Sequence, residues 1–245
     1  MSHPFSHIPG VSYDPKTNEP FLTLAPPLHN YRLTPWRDDE VDVQSNMEIL
    51  NDKRVYMNLL GPPYPYTEEM AKSWIKKRHE RTSRLVKYLQ ETKDWGEIQK
   101  ISACPFEAIR YSENIESAGG RLLGCIDARP ESLKFKPGEM WKDPFFPDDD
   151  FAGKQQWMFG DFLSPDHHGK GVMSACVAVL LASFFDPIMR VKYWRLGVFV
   201  GNWASRRVFE KNGFHFTGET KSCGMRVASK GEPEELFEWV MELRR

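Results

Sequence analysis

The stretch DHHGKGVMS, residues 166–174, sets two histidines, two glycines and a lysine between two apolar runs. Such a turn can ligate a metal, cradle a phosphate, or simply reverse the chain. His167 and His168 are adjacent and point apart in an extended turn. No other His, Cys or Asp stands at a recognised ligand spacing, so no metal is expected. The nucleotide motif GxxxxGK followed by Ser or Thr is absent, and GxGxxG fails because Ser174 occupies the third glycine position. What remains is a strand, a glycine-rich turn and a helix start. The backbone N–H groups of Gly169, Lys170, Gly171, Val172, Met173 and Ser174 precede any intrahelical acceptor and lie at the positive end of the helix dipole. Gly169 and Gly171 leave room for a ligand against the backbone, and Lys170 adds charge. These features suit a pyrophosphate.

Two neighbouring segments carry further polar groups. In QQWMFGDFL, strand alternation places Gln155, Trp157, Phe159 and Asp161 on one face. Asp161 is the only carboxylate there. In NWASRRVFEKNGF, Asn202 is a suitable N-cap, Ser205 occupies the third helical position, and Gly213 follows the helix end. Arg206 and Arg207 either line a solvated face or reach toward phosphates. Tyr64 and Tyr66 stand in the proline-rich GPPYPY, whose rigidity suits either substrate stacking or packing against its own prolines.

The elements that must hold these groups follow from pattern. Residues 1–28 show little periodicity and read as an arm, draped or disordered. YRLTPWR reads as a strand, and DDEVDVQSNMEILND as a helix opened by acids. TEEMAKSWIKKRHERTSRLVKYLQE reads as a long helix with Thr67 as N-cap and Met70, Trp74, Leu85 and Leu89 near one stripe. Its cations, Lys72, Lys76, Lys77, Arg78, Arg81, Arg84 and Lys87, read as a solvated face or as a landing site for an acidic partner or RNA. CPFEAIRYSE and RLLGCIDAR read as a hairpin. Residues 130–154 read as a long inserted loop, of the kind that often serves as a lid. Then come the strand QQWMFGDFL, the helix GKGVMSACVAVLLASFF, the strand KYWRLGVFV, the helix at 202–212, and two closing strands. That order predicts an α/β (α+β) layer fold with one sheet.

The 245 residues are 40% hydrophobic and 13% aromatic, enough for a substantial core. A net charge of −1 gives no global case for nucleic acid. The four cysteines are scattered without a CxxC pair and read as reduced core thiols. The N-terminal residues do not look like a signal peptide, and no apolar run is expected to span a bilayer. A cytoplasmic protein is the resulting expectation, with the nucleus equally allowed; oligomeric state is unreadable.

Three segments together resemble the GNAT superfamily of N-acyltransferases, closest to the branch that acetylates ribosomal-protein N-termini. HHGKGVM resembles the superfamily's Q/R-x-x-G-x-G/A turn, with His168 in first place, Gly171 in the glycine place and Met173 where Gly or Ala is usual. NWASRRVFEKNGF resembles the branch's N-x-x-S-x-R/K-x-x-E-K-x-G-F signature. YRLTPWRDDEVD with GPPYPYTEEMAKSWI resembles its N-terminal pattern. The likeness covers most of residues 30–243. It implies one mixed, mainly antiparallel sheet of about seven strands, a central splayed parallel pair and helices on both faces, spanning residues 29–245. It also implies acetyl-CoA as donor and a primary amine as acceptor: a small molecule or amino acid, or alternatively a protein N-terminus. A CoA-binding module without catalysis is the remaining alternative.

By the same resemblance, the pantetheine arm lies between strands 155–163 and 192–199. It pairs there with backbone around Phe162, Leu163 and Ser164, and an N–H of that strand serves the oxyanion. The family's usual carboxylate position falls on Trp157, which cannot act as a base, leaving Asp161 as the candidate base or ammonium anchor. Phe209 stands where many members have an acidic Tyr. Ser205 is then the candidate for stabilising the thiolate, with Asn202 at the pantetheine and Arg206 near the phosphates. Tyr64, Tyr66 and Trp157 are expected at the acceptor.

Overall fold

The computed structural model describes residues 3–114, 116–131, 144–146 and 152–245. One nine-stranded sheet runs in the order β1-β2-β3-β4-β5-β6-β7-β9-β8. Its strands are β1 Val11–Asp14, β2 Glu19–Thr23, β3 Tyr31–Thr34, β4 Ala108–Tyr111, β5 Arg121–Pro130, β6 Gln156–Leu163, β7 Tyr193–Phe199, β8 His215–Met225 and β9 Glu235–Arg244. All neighbours are antiparallel except β6 and β7.

Seven strands were expected; the arm supplies the other two. β1 and β2 form a hairpin that pairs with β3 at the sheet edge. Ahead of it, Phe5 and Ile8 sink into the core beside Leu85 and Leu89. These apolar residues are too irregularly spaced to announce a strand; tertiary burial organises them.

Helix α1 (Glu40–Asn51) starts where the Asp39 side chain accepts from the Asp42 N–H. Helix α2 (Glu68–Glu91) starts where Thr67 accepts from the Met70 N–H. Both pack on one face of the sheet. The buried positions of α2 include Ala71, Ile75, Arg78, Thr82, Leu85 and Leu89, alternately four and three apart. The stripe therefore sits one position away from the expected Met70 and Trp74; Met70 is exposed. Two of the cations assigned to a solvated face, Arg78 and Arg81, turn inward. There the Glu107 carboxylate, fully buried, accepts from Arg78 at 2.8 Å, from Arg81, and from the Trp36 indole N–H at 3.1 Å. Asp127 accepts from Arg129 at 2.6 Å and lies 3.5 Å from Arg78. Burial opposes its charge, but Arg129, Arg78 and Arg81 hold its carboxyl below the ordinary range.

On the other face, one continuous helix, α3 (Val172–Met189), begins as α and widens to π winding over Leu181–Met189. By length and composition it could cross a membrane, contrary to the expectation that no run would; 56% of it is buried inside the fold. Cys176, Leu180, Phe184, Phe185 and Ile188 pack into the core. Helix α4 (Trp203–Glu210) lies beside it, its Phe209 ring packing edge-on against Phe214. Cys104, Cys125 and Cys176 are buried and Cys223 is half-buried; all are free thiols.

Most of the insertion at 130–154 lies outside the described residues. Of its described part, Phe146 is buried against Trp157.

Candidate active site

β6 and β7 pair at only two positions, Gln156↔Tyr193 and Trp157↔Trp194, and then separate. Beneath the opening, Phe159 stacks flat on Trp194 at 4.4 Å, flanked by Phe185, Phe209 and Phe214. On its other edge β6 stays paired with β5 through Leu163. The Ser164 N–H donates to the Leu123 carbonyl at 2.6 Å. Hydrogen-bonding direction alternates along an antiparallel strand, so the Phe162 N–H also points to β5. The N–H groups of Phe159, Asp161 and Leu163 face the opening instead. Of the three residues expected to pair with a ligand here, Leu163 keeps a free backbone N–H, while Phe162 and Ser164 spend theirs within the sheet.

The turn that follows is built to leave its backbone bare. Gly169 and Gly171 adopt φ of +72° and +81°, in the left-handed region that favours glycine. The first helical bond of α3 runs from the Ala175 N–H to the Gly171 carbonyl at 3.0 Å. Among the described residues, no acceptor meets the N–H groups of Gly169, Lys170, Gly171, Val172, Met173 or Ser174. A Cβ built at Gly169 or Gly171 would have nothing within 4 Å, so the space over the turn is open. Both histidines serve the scaffold. His167 shares a hydrogen bond with the Tyr31 hydroxyl at 2.9 Å, and His168 Nε2–H donates to the Leu163 carbonyl at 2.8 Å. Met173 does not crowd the turn: its side chain is buried in the core.

Asp161 sits where the strands separate, half-buried, with no hydrogen bond or ion pair among the described residues. Burial, and then repulsion from Asp127, push its carboxyl up to about 7. Trp157 shares this face as expected, but lies deeper along the strand. It is fully buried, and its indole N–H donates to the Ala152 carbonyl at 3.0 Å. Its placement at the acceptor is corrected: it belongs to the aromatic floor.

At the mouth of the opening, Asn202 caps α4, its side-chain oxygen accepting from the Ser205 N–H at 3.1 Å. The Ser205 hydroxyl is without a partner among the described residues and half-buried. Arg206 is committed elsewhere than to phosphates. It pairs with Glu210 at 2.7 Å and lies about 5 Å from the rings of Trp203, Phe216 and Trp239.

Across the sheet, an open groove of about 500 Å³ is lined by Pro63, Tyr66, Trp74, Lys77 and Arg78, among others. Trp74 approaches Phe162 of β6 at 6.3 Å between ring centroids. Tyr66 is buried in the groove wall, whereas Tyr64 is exposed and stacks on Tyr56. Sequence reasoning missed the Arg78–Arg81–Glu107–Asp127 cluster behind this groove. The available signal was Arg78 standing in phase with Ile75 and Thr82 on the apolar stripe.

The family described as "Acetyltransferase (GNAT) domain" matches residues 30–215, and the chain belongs to it. No curated protein matches. A GNAT-family acetyltransferase from Bacillus anthracis shares the fold at 17% identity and a TM-score of 0.55, covering 91% of this chain and 98% of that one. RimL, a ribosomal L7/L12 alpha-N-protein acetyltransferase, is 13% identical with a TM-score of 0.59, covering 96% and 100%. MccE, the microcin C7 self-immunity acetyltransferase solved with acetyl-CoA and AMP, is 12% identical with a TM-score of 0.54, covering 91% and 99%. At such identities the likeness carries the fold and leaves the acceptor open.

The protein is thus a GNAT acetyltransferase with acetyl-CoA as donor. Its residues fit that donor: six unpaired N–H groups, two left-handed glycines and open space suit a pyrophosphate, and the unpaired edge of β6 suits an amide-bearing arm.

Proposed function

We propose that this protein transfers acetyl from acetyl-CoA to a primary amine of a small molecule, with Asp161 as general base. The observation that carries this reading is an unpartnered carboxylate, tuned to about 7, at the point where β6 and β7 separate. When bound, acetyl-CoA supplies an acetyl thioester; a C–N bond forms as the C–S bond breaks. Gly169, Lys170, Gly171, Val172, Met173 and Ser174 bind the pyrophosphate through their N–H groups. Leu163 orients the pantetheine arm through its backbone N–H. The Asp161 N–H, which faces the opening, donates to the carbonyl oxygen as charge develops there. The Asp161 carboxylate takes the proton that the attacking ammonium must lose. The Ser205 hydroxyl gives a proton to the departing sulfur and regains one from solvent.

Thiol release from acetyl-CoA, followed over a panel of small amines, amino acids and short peptides, tests this reading. Turnover confined to small amines is expected. Tight CoA binding with no turnover on any amine would contradict it.

Two variants separate the parts of the cofactor turn. Gly171→Val forces a β-branched residue into left-handed backbone at a cost of about 1–2 kcal/mol. Distortion on that scale is expected to raise KM for acetyl-CoA about tenfold. Met173→Ala removes a buried side chain and is expected to destabilise the fold by about 2–4 kcal/mol in denaturant titration. It should leave that KM unchanged, because the Met173 side chain faces away from the turn.

A further inference from the structure

The face of the sheet that carries α1 and α2 shows a second feature of the β6–β7 opening. Three residues beyond the last paired position, both strands carry a glycine, Gly160 on β6 and Gly197 on β7. Each is overlaid by a carboxylate from the outer neighbouring strand. A Cβ on Gly160 would lie 2.7 Å from Asp127 Oδ1, and a Cβ on Gly197 would lie 1.9 Å from Glu238 Oε2 and 2.2 Å from its Cδ. Only glycine at 197 allows Glu238, of β9, to lay its head group across β7 toward the opening.

The two carboxylates differ in what balances them. Asp127 has Arg129 and Arg78. Glu219 and Glu242 on this face share Arg195, at 2.6 Å and 3.5 Å. Lys221 lies 3.9 Å from Glu131. Glu238 forms no salt bridge among the described residues; the Cys223 thiol donates a hydrogen bond to it, Lys221 stands opposite it on β8, and Glu131 opposes its charge. Burial raises its carboxyl above the ordinary range, and Glu131 adds to this while Lys221 counters it.

We propose that Glu238 captures the ammonium group of the acetyl acceptor as it enters the β6–β7 opening from this face, ahead of its transfer to Asp161 on the opposite face, and that it selects amines lacking a carboxylate beside the amine. This deepens the function proposed above and rests on its placing of transfer in the β6–β7 opening. A half-buried carboxylate with no salt bridge is stabilised by an arriving cation. It is opposed by a second carboxylate, because like charges a few ångström apart in a half-buried site repel. The bare backbone of Gly197 leaves no side chain between Glu238 and the opening. The aromatic groove at Tyr66 and Trp74, on the same face, suits an acceptor with an apolar body.

Phenethylamine and phenylalanine differ by that one carboxylate and serve as probes. The unmodified enzyme is expected to prefer phenethylamine by about tenfold or more in kcat/KM. Glu238→Gln should raise KM for phenethylamine by about tenfold while leaving KM for acetyl-CoA and the pH limb near 7 in place. Gly197→Ala, which displaces the same carboxylate without removing it, should shift KM in the same direction. Should transfer be slow, binding of both probes to the CoA-saturated protein, read by tryptophan fluorescence, gives the same comparison. Equal or better use of phenylalanine, an unchanged amine KM in Glu238→Gln, or binding of neither probe at millimolar concentration would overturn the assignment. So would loss of the pH limb with an unchanged amine KM, which would make Glu238 the base. Insensitivity to Gly171→Val and Asp161→Asn together would sink the site itself; insensitivity to Glu238→Gln alone sinks only this step.

Discussion

Asp161→Asn is expected to lower kcat by about 10²–10⁴-fold while leaving KM for acetyl-CoA near its original value. Asparagine keeps the size and the backbone N–H that faces the opening, so it removes the proton acceptor and little else. The pH dependence makes the test specific. The Asp161 carboxyl is raised to about 7 by burial and by Asp127, so the competent ionised form grows as pH rises through 7. Below that point the rate should climb about tenfold per pH unit, and above it level off. The variant should lose this limb. Stability carries the opposite sign. A carboxyl whose folded pKa exceeds its unfolded value binds its proton more tightly in the fold, so stability falls as pH rises from about 4 to about 7. Asp161→Asn is therefore expected to stabilise the protein above pH 7, by roughly 2–4 kcal/mol, and to do nothing of the kind near pH 4. A variant both slower and more stable at pH 8 is the signature of a base held against its own preference.

Glu107→Gln is expected to destabilise the fold by about 3–5 kcal/mol in denaturant titration at pH 7. Glu107 is the shared counter-ion of Arg78 and Arg81, all three buried, and also accepts from the Trp36 indole. Burial works against both guanidinium charges. Glu107 and Asp127 overcome it at Arg78, whose pKa is raised, but not at Arg81, whose pKa is lowered by burial with Arg78 repelling it. Removing the Glu107 charge takes the shared counter-ion from two buried arginines and costs far more than a surface pair. The cluster ties α2 to β4 and β5, directly behind the groove at Tyr66 and Trp74. A variant that still folds should therefore bind amines more weakly. Unchanged stability in Glu107→Gln would show that solvent already screens the cluster.

Much of the fold beyond residue 29 was legible because short-range rules set it. Thr67 and Asn202 cap the helices they precede, and strand alternation placed Trp157 and Asp161 on one face correctly. Alternation fixes a face but not a depth. Four residues along β6 separate a fully buried indole from a half-buried carboxylate at the opening, and only the strand separation shows which is which. The same limit applies to Met173, whose position in the motif was readable but whose inward direction depends on how α3 sits on the sheet. The inward turn of Arg78 and Arg81 was hidden because charged residues ordinarily mark the wet side of a helix, and their partners lie 26 or more residues away on other elements. Glu238 was silent for a related reason: its meaning comes from the missing side chain of Gly197 on the neighbouring strand.

The central claim is that the donor binds at the bare turn after β6 and along that strand's open edge. Backbone amide chemical shifts recorded while CoA is titrated into the protein test it most directly. The account predicts that the largest changes fall on the N–H groups of residues 169–174, with Leu163 and Asp161 following and the β1–β2 edge unmoved. Saturable CoA binding that leaves residues 169–174 and Leu163 undisturbed would contradict it.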